Sequence, residues 1–272
     1  MNSIEFSNEF DLIYNNVMSN QAAPIDECEK SMLLSKAQEE IVYNHFNPKG
    51  NKYQEGFDDS AKRQYDFSTI IETKQYISGS VNELNFREVQ GNDSIFSMDN
   101  SDLNIHRYKM TLPSNFLLFI NEECFLQRFI HGNTVSRNAS VTPINFGELT
   151  KARGDTYKFP VATECWRVYN NINKTTEPEI ELLAPYASTI QIYKARYVRK
   201  PKPIVLVNLT QYGVSIDGVN GSELPFDVSD AEVCELPKSI HREIVQRAVE
   251  IAKASYRTGE TEVLTQIGQR SE

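Results

Sequence analysis

The apolar residues of this chain change their period twice. Near the start, Phe6, Phe10, Ile13, Tyr14 and Val17 recur every three or four positions, the spacing of one helix face. Between residues 105 and 207 the pattern becomes short aromatic and aliphatic runs with alternation, best in Ile190–Val198. Beyond Pro237 the helical period returns in Ile240, Ile244, Val245, Ala248, Val249, Ile251 and Ala252. Helices at both ends each carry one apolar stripe, and the economical way to bury those stripes is against each other. The expected fold is therefore α+β: a helical base from the N- and C-terminal helices with an inserted antiparallel β lobe. The expected division is 1–77 and 235–258 for the base, 78–234 for the lobe with long excursions, and 259–272 for an extended C-terminal tail.

Local signals refine this. Ser3 is placed to cap the first helix, which the Ala22-Ala23-Pro24 step interrupts. A second helix is expected from Pro24 to Phe46, with Asp26, Glu27 and Glu29 at its positive end. Its buried face would be Ile25, Cys28, Met32, Leu33, Ala37, Ile41 and Val42. A third helix is expected from Asp58 to Lys74. Strands are expected over Ile105–Leu112, Phe116–Ile120, Phe125–Ile130, Cys165–Tyr169, Glu179–Leu183 and Ile190–Val198, with Glu122-Glu123 as a turn. Residues 78–101 and 133–163 read as irregular excursions. The string Lys200-Pro201-Lys202-Pro203, followed by Ile204-Val205-Leu206-Val207, suits an edge or crossover because two prolines remove ladder donors. Asp217-Gly218 and Asn220-Gly221 are tight-turn signals. Glu243 and Arg247 are spaced as an i,i+4 pair.

Composition narrows the function classes. Of 272 residues, 40% are hydrophobic and 24% charged, which fits a globular chain. No apolar run is long enough for a membrane helix, and Met1–Phe6 lacks the basic and apolar regions of a secretory signal. A net charge of −9 argues against a generic DNA or anionic-membrane binder. Cys28, Cys124, Cys165 and Cys234 are too scattered for a zinc site and read as reduced core thiols. His45, His106, His131 and His241 have no second ligand at metal spacing, and no nucleophile elbow, phosphate loop or dinucleotide fingerprint occurs. No catalytic, cofactor-binding or metal residue is nominated, and the expectation is a chain that is not an enzyme.

The strongest local feature is basic. Lys194, Arg196, Arg199, Lys200 and Lys202 fall within nine residues, interleaved with Tyr193 and Tyr197. Three readings stand: a nucleic-acid-binding module using phosphate contacts and stacking, the solvent face of an edge strand guarded by Lys and Pro, or a contact with an acidic surface of a neighbouring subunit. Residues 1–100 hold 17 acids and 8 bases, whereas 101–200 hold 9 acids and 13 bases, so the thirds are complementary in charge. In the tail, Val263, Leu264 and Ile267 could dock in a neighbour's groove. The candidate subunit interface is thus Lys194, Arg196, Arg199, Lys200, Lys202, Val263, Leu264 and Ile267.

Particular strings carry a resemblance. Tyr193-Lys194-Ala195-Arg196-Tyr197-Val198-Arg199-Lys200-Pro201-Lys202-Pro203-Ile204-Val205-Leu206 and Cys234-Glu235-Leu236-Pro237-Lys238-Ser239-Ile240-His241-Arg242-Glu243-Ile244-Val245 resemble signatures of crAss-like bacteriophage head–tail connector, or ring, proteins. Lys36-Ala37-Gln38-Glu39-Glu40-Ile41-Val42, Leu112-Pro113, Phe116-Leu117-Leu118-Phe119 and Asn121-Glu122-Glu123 fit the same layout. The resemblance implies a structural virion protein at the head–tail junction, made in the host cytoplasm. It implies a homo-oligomer, a twelve-fold ring beneath the portal, in contact with the portal protein and other connector or tail rings. Packaged DNA would pass through the channel, with no membrane and no cofactor involved. Ring closure would then cover apolar stripes and oppositely charged flanks. The excursions 78–101 and 133–163 depart from the pattern.

Overall fold

The computed structural model describes residues 1–17, 24–46, 61–78, 86–89, 106–130, 132–153, 159–170, 178–222 and 232–256. The chain separates into two compact units, Met1–Ile70 with Lys200–Glu272, and Ile71–Arg199. The division thus falls at 70/71 and 199/200, where the sequence reading had 77/78 and 234/235.

The first unit is helical. It contains α1 (Ser3–Val17), α2 (Glu27–Phe46), α3 (Ala61–Asp66) and α5 (Lys238–Tyr256). Helix α5 packs on α1 and α2, and the expected stripes meet there. Phe6, Phe10 and Tyr14 of α1, Leu34, Ala37, Ile41 and Val42 of α2, and Ile244, Val245, Ala248 and Val249 of α5 are all buried. Met32, expected on the buried face, is exposed instead. The cap of α1 is Asn2, not Ser3. Asn2 Oδ1 accepts from the Glu5 amide (2.7 Å), and Glu5 Oε2 accepts from the Asn2 amide (3.0 Å), a reciprocal capping box. Arg247 does not pair with Glu243. It donates to Glu40 on α2 (3.0 Å) and to Glu250 (2.7 Å), because its side chain lies over the helix contact.

The segment 200–208 has no regular structure and crosses beside α2, with Ile204, Val205 and Leu206 buried. Two serines of α2 replace the ladder that the prolines forbid. Ser31 Oγ accepts from the Leu206 amide (3.0 Å), and Ser35 Oγ donates to the Ile204 carbonyl (3.1 Å). Asp217 and Gly218 both have positive φ, 47° and 79°, and close a two-residue turn between Ile216 and Val219.

The second unit is an eight-stranded sheet in the order β1-β8-β4-β5-β6-β7-β3-β2. The strands are β1 (Ile71–Ile77), β2 (Phe86–Glu88), β3 (Arg107–Thr111), β4 (Phe116–Ile130), β5 (Asn133–Pro143), β6 (Glu164–Asn170), β7 (Glu179–Leu183) and β8 (Ser188–Arg199), with α4 (Phe146–Arg153) between β5 and β6. The sheet is nearly closed: Phe86, from the strand at one end, stacks on Tyr193 of β8 at 6.0 Å. Pairing is antiparallel except between β5 and β6, which run parallel.

The third helix ends at Asp66, and residues 71–77 form β1, because Ile71 and Thr73 are β-branched and pair with β8. The two strands expected around Glu122-Glu123 are one strand, β4, whose irregular register absorbs the acids without a turn. The excursion 133–163 holds a strand and a helix: β5 and α4, the latter capped by Asn145 with Glu148. Most of 78–101 lies outside the described residues. All four cysteines are buried free thiols. No helix among the described residues is long and apolar enough to cross a membrane.

Candidate subunit interface

Strand β8 positions the basic cluster. It pairs with β1 on one side and β4 on the other, so it is internal to the sheet and the edge-strand reading of the cluster is overturned. Its alternation sends Tyr193, Ala195 and Tyr197 inward, while Lys194 and Arg196 project to solvent. Lys194 lies between Gln75 and Glu123 in the register, and Arg196 between Thr73 and Asn121.

The remaining three cations meet acids of their own chain. Arg199 Nε is 3.2 Å from Glu72, whose carboxylate also accepts from the Tyr197 hydroxyl at 2.8 Å. Lys202 pairs with Glu235 through its amide (3.0 Å) and its exposed ammonium (3.4 Å). Lys200 belongs to the helical unit, near Glu39. Burial and the facing Asp217 raise the Glu39 carboxyl, and Lys200 partly offsets that rise. The five bases therefore do not form one patch on one element. Val263, Leu264 and Ile267 lie outside the described residues.

Tyr193 and Tyr197 are 0% and 1% exposed. A ring buried inside a sheet offers no stacking face, so the aromatic half of the nucleic-acid reading has no surface. Burial, reinforced by Glu122 and Glu72 respectively, pushes both phenols well above their ordinary range.

Sequence reasoning missed what those tyrosines touch. Glu122, expected in a turn, lies inside the sheet unit. Its carboxylate accepts from the Tyr193 hydroxyl (2.5 Å) and sits 2.9 Å from Arg167 Nε. The Arg167 guanidinium is stacked over Phe119 at 4.2 Å and Tyr169 at 5.0 Å. Burial raises the Glu122 carboxyl against the opposing pull of Arg167. A second buried pair joins Lys109 to Glu179 at 2.6 Å. Both contacts are buried ion pairs. Their work is to hold β4, β6 and β8, and β3 with β7, in one register. None of these groups opens to solvent as a nucleophile or base would need to.

The histidines have structural partners. His106 meets Glu88 (2.5 Å), and His45 lies against Phe67 and near Glu243. His131 lies outside the described residues. His241 donates from Nε2 to the Leu236 carbonyl (2.8 Å), which leaves Nδ1 to accept from the Met1 ammonium (2.9 Å). Among the described residues no group of three His, Cys, Asp or Glu side chains could hold a metal. A shallow groove of about 610 Å³ on the helical unit is lined by Met1, Glu5, Asn8, Glu9, Leu12, Lys238 and Arg242.

Comparison with known proteins supplies what this geometry does not. The family model described as phage tail ring protein 3/4 matches residues 1–263. Ring protein 4/5 of Bacteroides phage crAss001 is 41% identical over 277 residues, covering the whole of both chains. Ring protein 3 of the same phage is 26% identical over 252 residues, covering 93% of this chain and 95% of that protein.

Proposed function

The chain belongs to the phage tail ring protein 3/4 family, and on that premise we propose that its copies form a ring of the head–tail connector, beneath the portal, through which packaged DNA enters the tail. As a family member it is a structural component of a phage tail and not an enzyme. The finer reading concerns place and number: a closed ring of twelve copies, contacting the portal protein and adjoining tail rings.

The single observation behind this reading is the 41% identity to a ring protein along the full length of both chains. Charge agrees with it. The helical unit carries 23 acids and 14 bases, the sheet unit 14 of each, so the whole excess of −9 sits on the helical unit. An acidic wall does not grip phosphate, which suits a conduit for DNA. Lys194 and Arg196 are the two exposed cluster residues on β8, and on this reading they would meet the acidic unit of a neighbour.

The test is the mass and symmetry of the purified full-length protein, by native mass spectrometry and particle imaging. A closed ring of twelve is expected. A protomer that never associates, with or without portal and tail proteins, would overturn the reading. Replacing Lys194 and Arg196 with Glu should reduce ring formation by about tenfold or more. If that variant instead loses DNA affinity while ring size is unchanged, the cluster is a nucleic-acid contact.

A further inference from the structure

The β4–β5 hairpin ends in a backbone edge that nothing in the described chain covers. Strand β5 pairs with β4 along 133–140, but with β6 only over 140–143. All six residues from Asn133 to Asn138 are exposed. The Ser140 amide donates to the Thr163 carbonyl on the β6 side (3.1 Å). Backbone groups of a strand alternate sides, so Asn138, Ser136 and Thr134 present their N–H and C=O groups the same way. Among the described residues these groups have no partner.

Such an edge is a template for another strand, and chains usually block it with proline, lysine or shortness. The two ends of the sheet show such devices in part: β2 has three residues, and β1 carries one exposed lysine, Lys74. The β5 edge has none of these devices. Its sequence, Asn133-Thr134-Val135-Ser136-Arg137-Asn138-Ala139, has no proline or lysine and includes two β-branched residues. Pro143 comes only where β6 has already taken over the pairing.

Topology says what fits there. Strands β1, β8, β4 and β5 form an antiparallel block with β1 and β5 as its outer strands, so β5 runs opposite to β1. In β1 the Ser78 amide bonds toward β8, which leaves Ile71, Thr73 and Gln75 facing away, with Thr73, Lys74 and Gln75 exposed. A ring contact is head-to-tail and needs two different surfaces on each copy. A rotation that preserves strand direction brings β5 of one copy beside β1 of the next in antiparallel sense. We infer that neighbouring copies of this chain join by strand addition, the β5 edge 133–139 of one subunit pairing with the β1 edge 71–75 of the next. This rests on the ring reading given above and specifies its lateral contact.

The experiment uses full-length protein. Ser136→Pro removes an outward donor without touching the β4 ladder, and Thr73→Pro does the same on β1. Each variant should keep its circular dichroism spectrum and lower the assembled fraction by about tenfold or more in native mass spectrometry. Hydrogen exchange on the unmodified assembly is the second measurement. The amides of Thr134, Ser136, Asn138, Thr73 and Gln75 should exchange about a hundredfold more slowly in the assembly than in dissociated subunits. Equal exchange in both states, or normal assembly of both variants, overturns strand addition while leaving the ring intact. Failure of the unmodified chain to associate at all overturns the ring reading itself, and strand addition with it.

Discussion

The two units of this protein solve the same problem in opposite ways. The helical unit satisfies itself: the stripes of α1, α2 and α5 meet inside one chain, and Lys30, buried between α1 and α2, finds Asp11 at 2.8 Å and Glu27 at 3.0 Å. Ring closure therefore need not cover those stripes, contrary to the expectation that they would lie open until copies meet. The sheet unit encloses charges within its core and leaves a hydrogen-bonding edge outside. Backbone edges offer assembly something that satisfied side-chain stripes cannot, since an unpaired N–H or C=O has one strong preference and a fixed direction.

The sharpest way to break this comparison is to remove a charge from inside the sheet. Arg167→Ala leaves Glu122 buried without its cation, and losing one partner of such a pair costs about 3–5 kcal/mol. Trp166, the one tryptophan, lies next to Arg167 on β6, so its fluorescence reports on the sheet unit. The urea midpoint followed by that fluorescence should fall steeply. Glu122→Gln with Arg167→Met, which removes both charges, should recover most of the loss. If the single and double variants are equally unstable, the pair matters for its shape and not its charge.

In the helical unit the corresponding lesion is a cavity. Ile244→Ala, at the fully buried centre of α5, should cost about 2–5 kcal/mol. Helix ellipticity at 222 nm is the appropriate signal, because most of the helix lies in this unit. Leu12→Ala, on a residue 62% exposed, should change stability by less than about 0.5 kcal/mol. A large effect at Leu12 would mean that the outer face of α1 is covered in the assembly, and the helical unit would no longer count as self-satisfied.

These lesions also mark what was legible in the sequence. A helix stripe repeats within its own segment, so Phe6, Phe10, Ile244 and Val245 could be assigned without knowing their partners. Strand β7 matched its expected bounds, Glu179–Leu183, because Ile180 and Leu182 alternate with Glu179 and Glu181, a period of two that can be read within the segment itself. The same locality hid the rest. Ile71 and Thr73 continue a helical pattern on paper and become β1 only because β8 offers a ladder. Glu122 looked like a turn acid because its partner Arg167 lies two strands away. The alternation of β8 was enough to expose Lys194 and Arg196, but nothing local separates them from Arg199 and Lys202, which face acids of their own chain. Residues 133–139 read as a loop because Asn, Thr and Ser serve turns and edge strands alike.

The smallest expected effect concerns pH and again belongs to the helical unit. Burial holds the His241 imidazole below its ordinary value; the Leu236 carbonyl opposes this, and the Met1 ammonium and Lys238 add to it. Phe6 packs on the ring at 5.1 Å, and Glu232 is the nearby acid that favours protonation. The fold thus prefers neutral His241, whereas the unfolded chain takes up a proton near the ordinary value of about 6.5. More protons bind the unfolded state below that pH, so stability is complete above it and declines as pH falls toward the folded value. One proton sets the ceiling, about 1.4 kcal/mol per pH unit. His241→Gln keeps a donor for Leu236 and cannot titrate. Its stability between pH 7.5 and 5.5 should therefore be flatter than that of the unmodified protein, followed by ellipticity at 222 nm. Parallel profiles would show that the α1–α5 contact tolerates an imidazolium, and that Glu232 and the Leu236 carbonyl hold the proton as well in the fold as water does outside it.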